Sequence, residues 1–191
     1  MASNPVTKLT EEEYLALDRA AEFKSEFFDG EMFAMSGVSM RHARLQQNIS
    51  AGLDALVRAR GCEVFGSDFR VRVSPRMYAY PDIAIVCGLP HLGDERQDIL
   101  LNPVIVFEIL SPSTEKYDRG LKFQNYRTIE SLKEYILVNQ DQILVEQYTH
   151  QADNTWTLRD HKGLDEPLNL ASVGVSIPLQ RIYDRVELPT A

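Results

Sequence analysis

Apolar positions along the chain change period several times, and each change predicts an element. Thr10 with Glu13 forms a capping box, and Tyr14, Leu15 and Leu17 follow, which predicts a short helix over residues 10–18. In Phe27-Phe28-Asp29-Gly30-Glu31-Met32-Phe33-Ala34-Met35 the Asp-Gly pair sits between apolar runs, the strongest short-range signal for a β-hairpin, so Asp29 is assigned to turn chemistry. From Ser39 the period is helical again: Leu45, Ile49, Leu53, Leu56 and Val57 share one face until Gly61 stops them. Phe69-Arg70-Val71-Arg72-Val73 alternates and predicts a strand with a dry face and a wet, basic face.

Residues 80–86 and 104–110 are apolar runs, as expected of central strands buried on both faces, and each is interrupted by a single carboxylate. Between them residues 88–102 form a polar loop without periodicity. A helix is predicted over 117–127, strands over 135–138, 143–148 and 155–158 (the last two paired across a turn at 151–154), and a short helix over 179–186 after Pro178. This order implies a mixed α/β sheet with helices on both sides.

Composition limits the options. With 191 residues, 44% hydrophobic and 25% charged, the chain fits one globular domain spanning 1–191 and excludes disordered or fibrous classes. Its longest apolar runs fall far short of the roughly 18 residues of a membrane helix. The N-terminal stretch lacks the organisation of a secretion signal, so a cytoplasmic location and no membrane partner are expected. Cys62 and Cys87 form no Cys-x-x-Cys pair and are expected as buried small hydrophobes rather than as a disulfide or zinc site.

The net charge of −8 opposes non-specific binding to nucleic acid, yet the charge is segregated. Residues 41–76 carry seven arginines against three acids, whereas residues 1–40 carry three bases against eight acids. The arginine-rich stretch is either a phosphate-facing surface or a solvated face.

The candidate chemistry lies in the two strand carboxylates. Asp82 follows Pro81 at a strand start, and Glu108 stands inside Val104-Ile105-Val106-Phe107-Glu108-Ile109-Leu110. A carboxylate in such company is costly unless paired, hydrogen-bonded or metal-bound. On neighbouring strands the two acids can converge on a hard cation, for which oxygen donors and waters suit Mg²⁺ or Mn²⁺; otherwise each sits at a strand end in water or pairs with an arginine. Beyond Glu108 the chain reads Ser111-Pro112-Ser113-Thr114, then Asp118-x-x-x-Lys122 on the next helix. Lys122 either forms an i,i+4 pair with Asp118 or points back at the carboxylates, where an ammonium would orient water or stabilise charge on a phosphate.

Pro81-Asp82, Glu108, Ser-Pro-Ser-Thr, Asp118-x-x-x-Lys122 and Glu134-Tyr135-Ile136-Leu137-Val138, in that order, resemble the Uma2 family of restriction-endonuclease-type proteins in the PD-(D/E)XK nuclease superfamily. Glu26-Phe27-Phe28-Asp29-Gly30-Glu31 is similar to that family's N-terminal hairpin, and His42 stands where a histidine opens its long helix. The resemblance spans about residues 8–186. It implies a restriction-endonuclease-like α/β core, a mixed central sheet flanked by helices, with an N-terminal helix and hairpin and C-terminal antiparallel strands. It further implies Asp82 and Glu108 as Mg²⁺ or Mn²⁺ ligands and Glu26 as a further acid. Leu110 stands where the superfamily's Glu-x-Lys would put its lysine, and Lys122 looks like the migrated replacement. His42 is a proton shuttle, a substrate contact or a capping residue; Asp118 positions Lys122; Tyr126 and Tyr135 are core or supporting residues.

The expected activity is metal-dependent hydrolysis of DNA phosphodiesters, with the 41–76 stretch tracking the backbone and, by analogy, a homodimer cutting both strands. The alternative is a catalytically degenerate relative that binds nucleic acid or protein. Acid–base glycoside chemistry by two carboxylates is a distant third.

Overall fold

A computed structural model describes residues 8–189, so most of the N-terminal stretch expected to lack a secretion signal lies outside the described residues. The chain opens with α1 (Glu11–Ala20), capped as expected: the Thr10 side chain accepts from the Glu13 amide, and Glu13 accepts from the Thr10 amide. The hairpin β1 (Ser25–Phe28) and β2 (Glu31–Ala34) turns at Asp29 and Gly30, whose φ angles of 49° and 90° explain the Asp-Gly pair. Helix α2 (Met40–Arg58) starts at the Ser39 cap and buries Leu45, Ile49, Leu53 and Val57 completely, each burial contributing about 1.5–3 kcal/mol.

There follow β3 (Cys62–Gly66), β4 (Arg70–Ser74), β5 (Met77–Ala79), β6 (Ile83–Cys87), β7 (Ile99–Leu100) and β8 (Ile105–Leu110). A crossover of α3 (Glu115–Tyr117), a π-helical turn (Asp118–Lys122) and α4 (Phe123–Tyr126) leads to β9 (Glu134–Asn139). The chain closes with β10 (Val145–His150), β11 (Trp156–His161), β12 (Pro167–Leu170), β13 (Val175–Pro178) and α5 (Leu179–Ile182).

The central sheet has strand order β11-β10-β9-β8-β6-β3 and is mixed: β8 and β9 run parallel, the other pairs antiparallel. A second sheet has order β2-β1-β5-β4-β7, and β12 pairs with β13. Side chains alternate across the central sheet. Ile83, Ile85, Ile105, Phe107 and Ile109 face one core with α2, α5 and the β12–β13 ribbon; Ala84, Val86, Val106 and Leu110 face another with β4, β5 and α4. The second face is thus covered by the second sheet together with a short helix. Gly52 lets α2 approach the ribbon, since a Cβ there would meet Ile177 Cδ1 at 2.5 Å. No described helix is long and apolar enough to cross a membrane.

Three local expectations need correction. The two cysteines form a Cys62–Cys87 disulfide, because the β3–β6 register sets them opposite each other with Cα atoms 3.9 Å apart. Arg70 does not lie on a wet face: it is buried, with its guanidinium on Asp18 at 2.6 Å and on the Tyr80 hydroxyl at 3.0 Å. Within the 88–102 loop, residues 99–100 form β7 beside β4.

Candidate active site

Tyr80-Pro81-Asp82 carries the chain from β5 in the second sheet to β6 in the central one, and the candidate residues gather at that junction. By strand alternation Asp82 belongs with Ala84 and Val86, and Glu108 with Val106 and Leu110, so both acids face the same side of the sheet. They line one cavity of about 680 Å³ with Glu26, His42, Asp118 and Lys122.

Lys122 is the hub. Its Nζ lies 2.9 Å from Glu108 Oε1, 2.9 Å from Glu26 Oε1 and 3.6 Å from Asp118 Oδ1, although the lysine is only 5% exposed. The i,i+4 pair with Asp118 therefore exists and the ammonium also reaches back to the strand acids. The π-helical turn brings this about: its wider winding buries Asp118 and Lys122 together, and such turns recur at functional sites. Tyr117 contributes a ring centroid 5.9 Å from the ammonium, and the Tyr135 hydroxyl donates to the Asp118 carbonyl at 3.0 Å, tying the turn to β9.

Asp82 is held differently. The Ile109 amide donates to Asp82 Oδ2 at 2.7 Å, His42 Nε2 lies 3.3 Å from the same oxygen, and Gln46 donates to the Asp82 carbonyl at 2.9 Å. Gln46 stands one helical turn beyond His42, a spacing readable in the sequence once His42 was suspected. The Tyr80 amide donates to Glu26 Oε1 at 3.3 Å, which hangs the hairpin acid on the inter-sheet link.

Burial pushes the Glu108 carboxyl well above the usual range, with Lys122 opposing and Asp118, Asp82 and Glu26 adding to the rise. Burial raises Asp118 likewise. For Lys122 burial works the other way, and the surrounding carboxylates of Glu108, Glu26 and Asp118 outweigh it, keeping the ammonium protonated well above its ordinary range. Tyr126 and Tyr135 are pushed up by burial and stay neutral.

Four carboxylates thus share one lysine and one histidine. Glu108 Oε1 is buried without a properly directed hydrogen bond despite the nearby ammonium. Among the described residues no three His, Cys, Asp or Glu side chains form a ready-made cage for a metal. Mg²⁺ normally takes one or two carboxylates and completes its shell with waters and substrate oxygens, so an acid-rich, under-compensated pair fits a hard divalent cation.

The arginines of the 41–76 stretch are largely ion-paired within the protein. Six of its seven arginines, Arg41, Arg44, Arg58, Arg70, Arg72 and Arg76, lie within 4.0 Å of a carboxylate, at separations of 2.6–3.6 Å.

A mixed sheet with strand acids on one face and a helix-borne lysine above them defines a restriction-endonuclease-like nuclease fold. A solved structure titled a "putative nuclease belonging to DUF820", from Anabaena variabilis, has this fold, with a TM-score of 0.76 and 18% identity, covering 92% of this chain and 97% of that one. Residues 11–180 match the Uma2 family, described as "Putative restriction endonuclease", and the chain belongs to that family. Two uncharacterized proteins of Synechocystis sp. are also similar: slr1290 at 34% identity over 95% of this chain and 94% of its own length, and sll1609 at 37% over 81% and 88%.

Proposed function

We propose that this nuclease-family chain hydrolyses DNA phosphodiester bonds with a divalent cation, Mg²⁺ or Mn²⁺, held by Asp82 and Glu108 and the Ile109 carbonyl. The observation that carries the reading is Lys122 Nζ at 2.9 Å from both Glu108 and Glu26, inside a cavity that Asp82 also lines. When bound, the cation supplies Lewis-acid neutralisation of the phosphate and acidification of a water. The protein's own groups do the positioning. The Ile109 amide and His42 fix the orientation of Asp82, while Glu26 and Asp118 hold the Lys122 ammonium beside the reacting centre, where it orients water and counters charge developing on the phosphate. A water oxygen forms one bond to phosphorus and gives up a proton to solvent, one phosphate ester bond breaks, and the leaving alkoxide takes up a proton from solvent.

A second reading, a binding module that has lost hydrolysis, is favoured by one feature: the Lys122 ion pairs already compensate part of the acid charge without a metal. Purified protein incubated with DNA and Mn²⁺ or Mg²⁺ separates the two. Cleavage that disappears in Asp82→Ala, together with Mn²⁺ binding by calorimetry that the same substitution weakens, is the expected result. Cleavage unchanged in Asp82→Ala, or an absence of both metal binding and cleavage, would remove the proposal. A homodimer remains part of it by analogy with other nucleases of this superfamily, and sedimentation tests that part.

A further inference from the structure

The cavity above Asp82 and Glu108 has two unlike walls. One is apolar: Phe28 and Phe33 of the hairpin and Met35 and Val38 of the segment that follows it, closed by Leu121 of the π-helical turn. Phe33 is 49% exposed and Val38 58% exposed, so this wall is apolar surface left facing water. The register explains why it belongs to the site. Glu26 is directly opposite Phe33 in the β1–β2 pair, so the ring stands on the same face of the hairpin as the acid that meets Lys122.

The other wall is a hydroxyl cluster. Ser111 Oγ lies 2.9 Å from Ser113 Oγ and 3.0 Å from Thr114 Oγ1, beyond the C-terminal end of β8. Between the walls lies the floor of carboxylates and Lys122.

Continuous duplex DNA is poorly matched to this space. Proteins that hold a duplex neutralise a row of phosphates with lysines and arginines. Among the described residues Lys122 is the only lysine or arginine lining the cavity, and it is buried in ion pairs. Most arginines of the 41–76 stretch face carboxylates of their own. A volume of about 680 Å³ is that of a pocket for one small molecule and is enough for a single nucleotide.

We infer that the cavity takes one unpaired nucleotide, its base against the Phe33–Val38 wall and its phosphate over the carboxylate floor, and that the substrate class is DNA with unpaired bases. This assignment rests on the nuclease reading and adds to it the form of DNA acted on. An aromatic face stacks on any base without regard to sequence, and serine and threonine hydroxyls donate to sugar and phosphate oxygens without reading sequence. Unpaired DNA offers its bases at no cost, whereas a duplex must first be unstacked.

The test uses the full chain with Ca²⁺ and two fluorescein-labelled probes, a 20-nucleotide oligo(dT) strand and a 20-base-pair duplex, read by anisotropy. The single strand is expected to bind at least about tenfold tighter, and Phe33→Ser to weaken that binding by about tenfold with duplex binding and melting temperature unmoved. Val38→Ser is the second variant and should act in the same direction. Equal affinity for the duplex, or a single-strand affinity that neither variant changes, overturns the assignment. Cleavage of both probes in Mn²⁺ keeps the two claims apart. Equal cleavage of the duplex ends the assignment and leaves the nuclease reading standing. Phe33-dependent single-strand binding without cleavage of either probe and without Mn²⁺ binding ends the nuclease reading and leaves standing only the claim that the cavity takes an unpaired nucleotide.

Discussion

Glu108 and Glu134 are buried glutamates on the adjacent parallel strands β8 and β9, and they have opposite fates. Glu134 is fully buried, on the face it shares with Ile136 and Val138, and its two oxygens are saturated by neutral donors. Ser172 donates to Oε1 through its amide at 2.9 Å and its hydroxyl at 2.6 Å, and Gln147 donates to Oε2 at 2.6 Å. Glu108 faces the other side, opens onto a cavity, meets other acids, and has a buried oxygen without a directed hydrogen bond. Burial alone therefore does not mark a candidate site carboxylate. The mark is an unfinished set of partners, because a buried charge left under-compensated is costly and persists where a ligand completes it.

The strongest way to break this comparison is to remove the ammonium that the buried acids share. Lys122→Met leaves Glu26, Glu108 and Asp118 buried around an apolar tip, and stability should fall by about 3–5 kcal/mol in urea unfolding, the usual result of stripping one partner from a buried ion pair. Adding Glu26→Gln to that variant should return part of the loss, since it removes one of the stranded charges. If Lys122→Met is as stable as the parent chain, the carboxylates do not depend on the lysine.

Glu134→Gln attacks the other half. The new amide presents an N–H₂ to at least one of the donors that Glu134 now satisfies, leaving a buried polar group unpaired at a cost of about 1–3 kcal/mol. Cleavage per folded molecule should stay within a factor of about two. A nuclease defect as large as that of Asp82→Ala, measured at a temperature where both proteins are folded, would make Glu134 part of the site after all.

The sequence carries this contrast only in part. Local signals predicted the elements that hold the site: the Thr10–Glu13 box, the Asp29–Gly30 turn, the helical period from Ser39 (apart from Leu56, which is exposed) and the apolar frame around Glu108 all stand. Asp82 and Glu108 stood out because a carboxylate in an apolar run is anomalous, Lys122 because its helix follows the Glu108 strand and spaces it four residues from Asp118, and Glu26 and His42 followed from the resemblance. What stayed hidden depends on pairing between distant segments. The Arg70–Asp18 pair, the Cys62–Cys87 register and the short strand β5 have no local period to reveal them. The saturation of Glu134 by Ser172 and Gln147 joins residues 13 and 38 positions away, so nothing in the run 134–138 distinguishes that acid from a site residue.

The smallest expected effect is also the most direct contrast, because pH should act on the two regions with opposite sign. Glu108 binds its proton more tightly in the folded chain than its ordinary value of 4.5, owing to burial. The folded state then holds more protons than the unfolded one, and stability falls as pH rises from about 4.5 through the raised value. His161, in the Glu134 network through its Nε2 contact with Gln147 Oε1 at 3.0 Å, is held below its ordinary 6.5, first by burial and then by Arg159. Its neutral form is the one that fits, so stability is full above pH 6.5 and is lost as pH falls below it. Between those limits the two slopes oppose each other in the parent chain, and each substitution should unmask the other. In metal-free buffer, urea midpoints of Glu108→Gln should rise with pH over this window relative to the parent, and those of His161→Gln should fall. Parallel curves for all three proteins would mean that neither group titrates differently on folding, and the distinction between a saturated and an unsaturated glutamate would then lose its energetic basis.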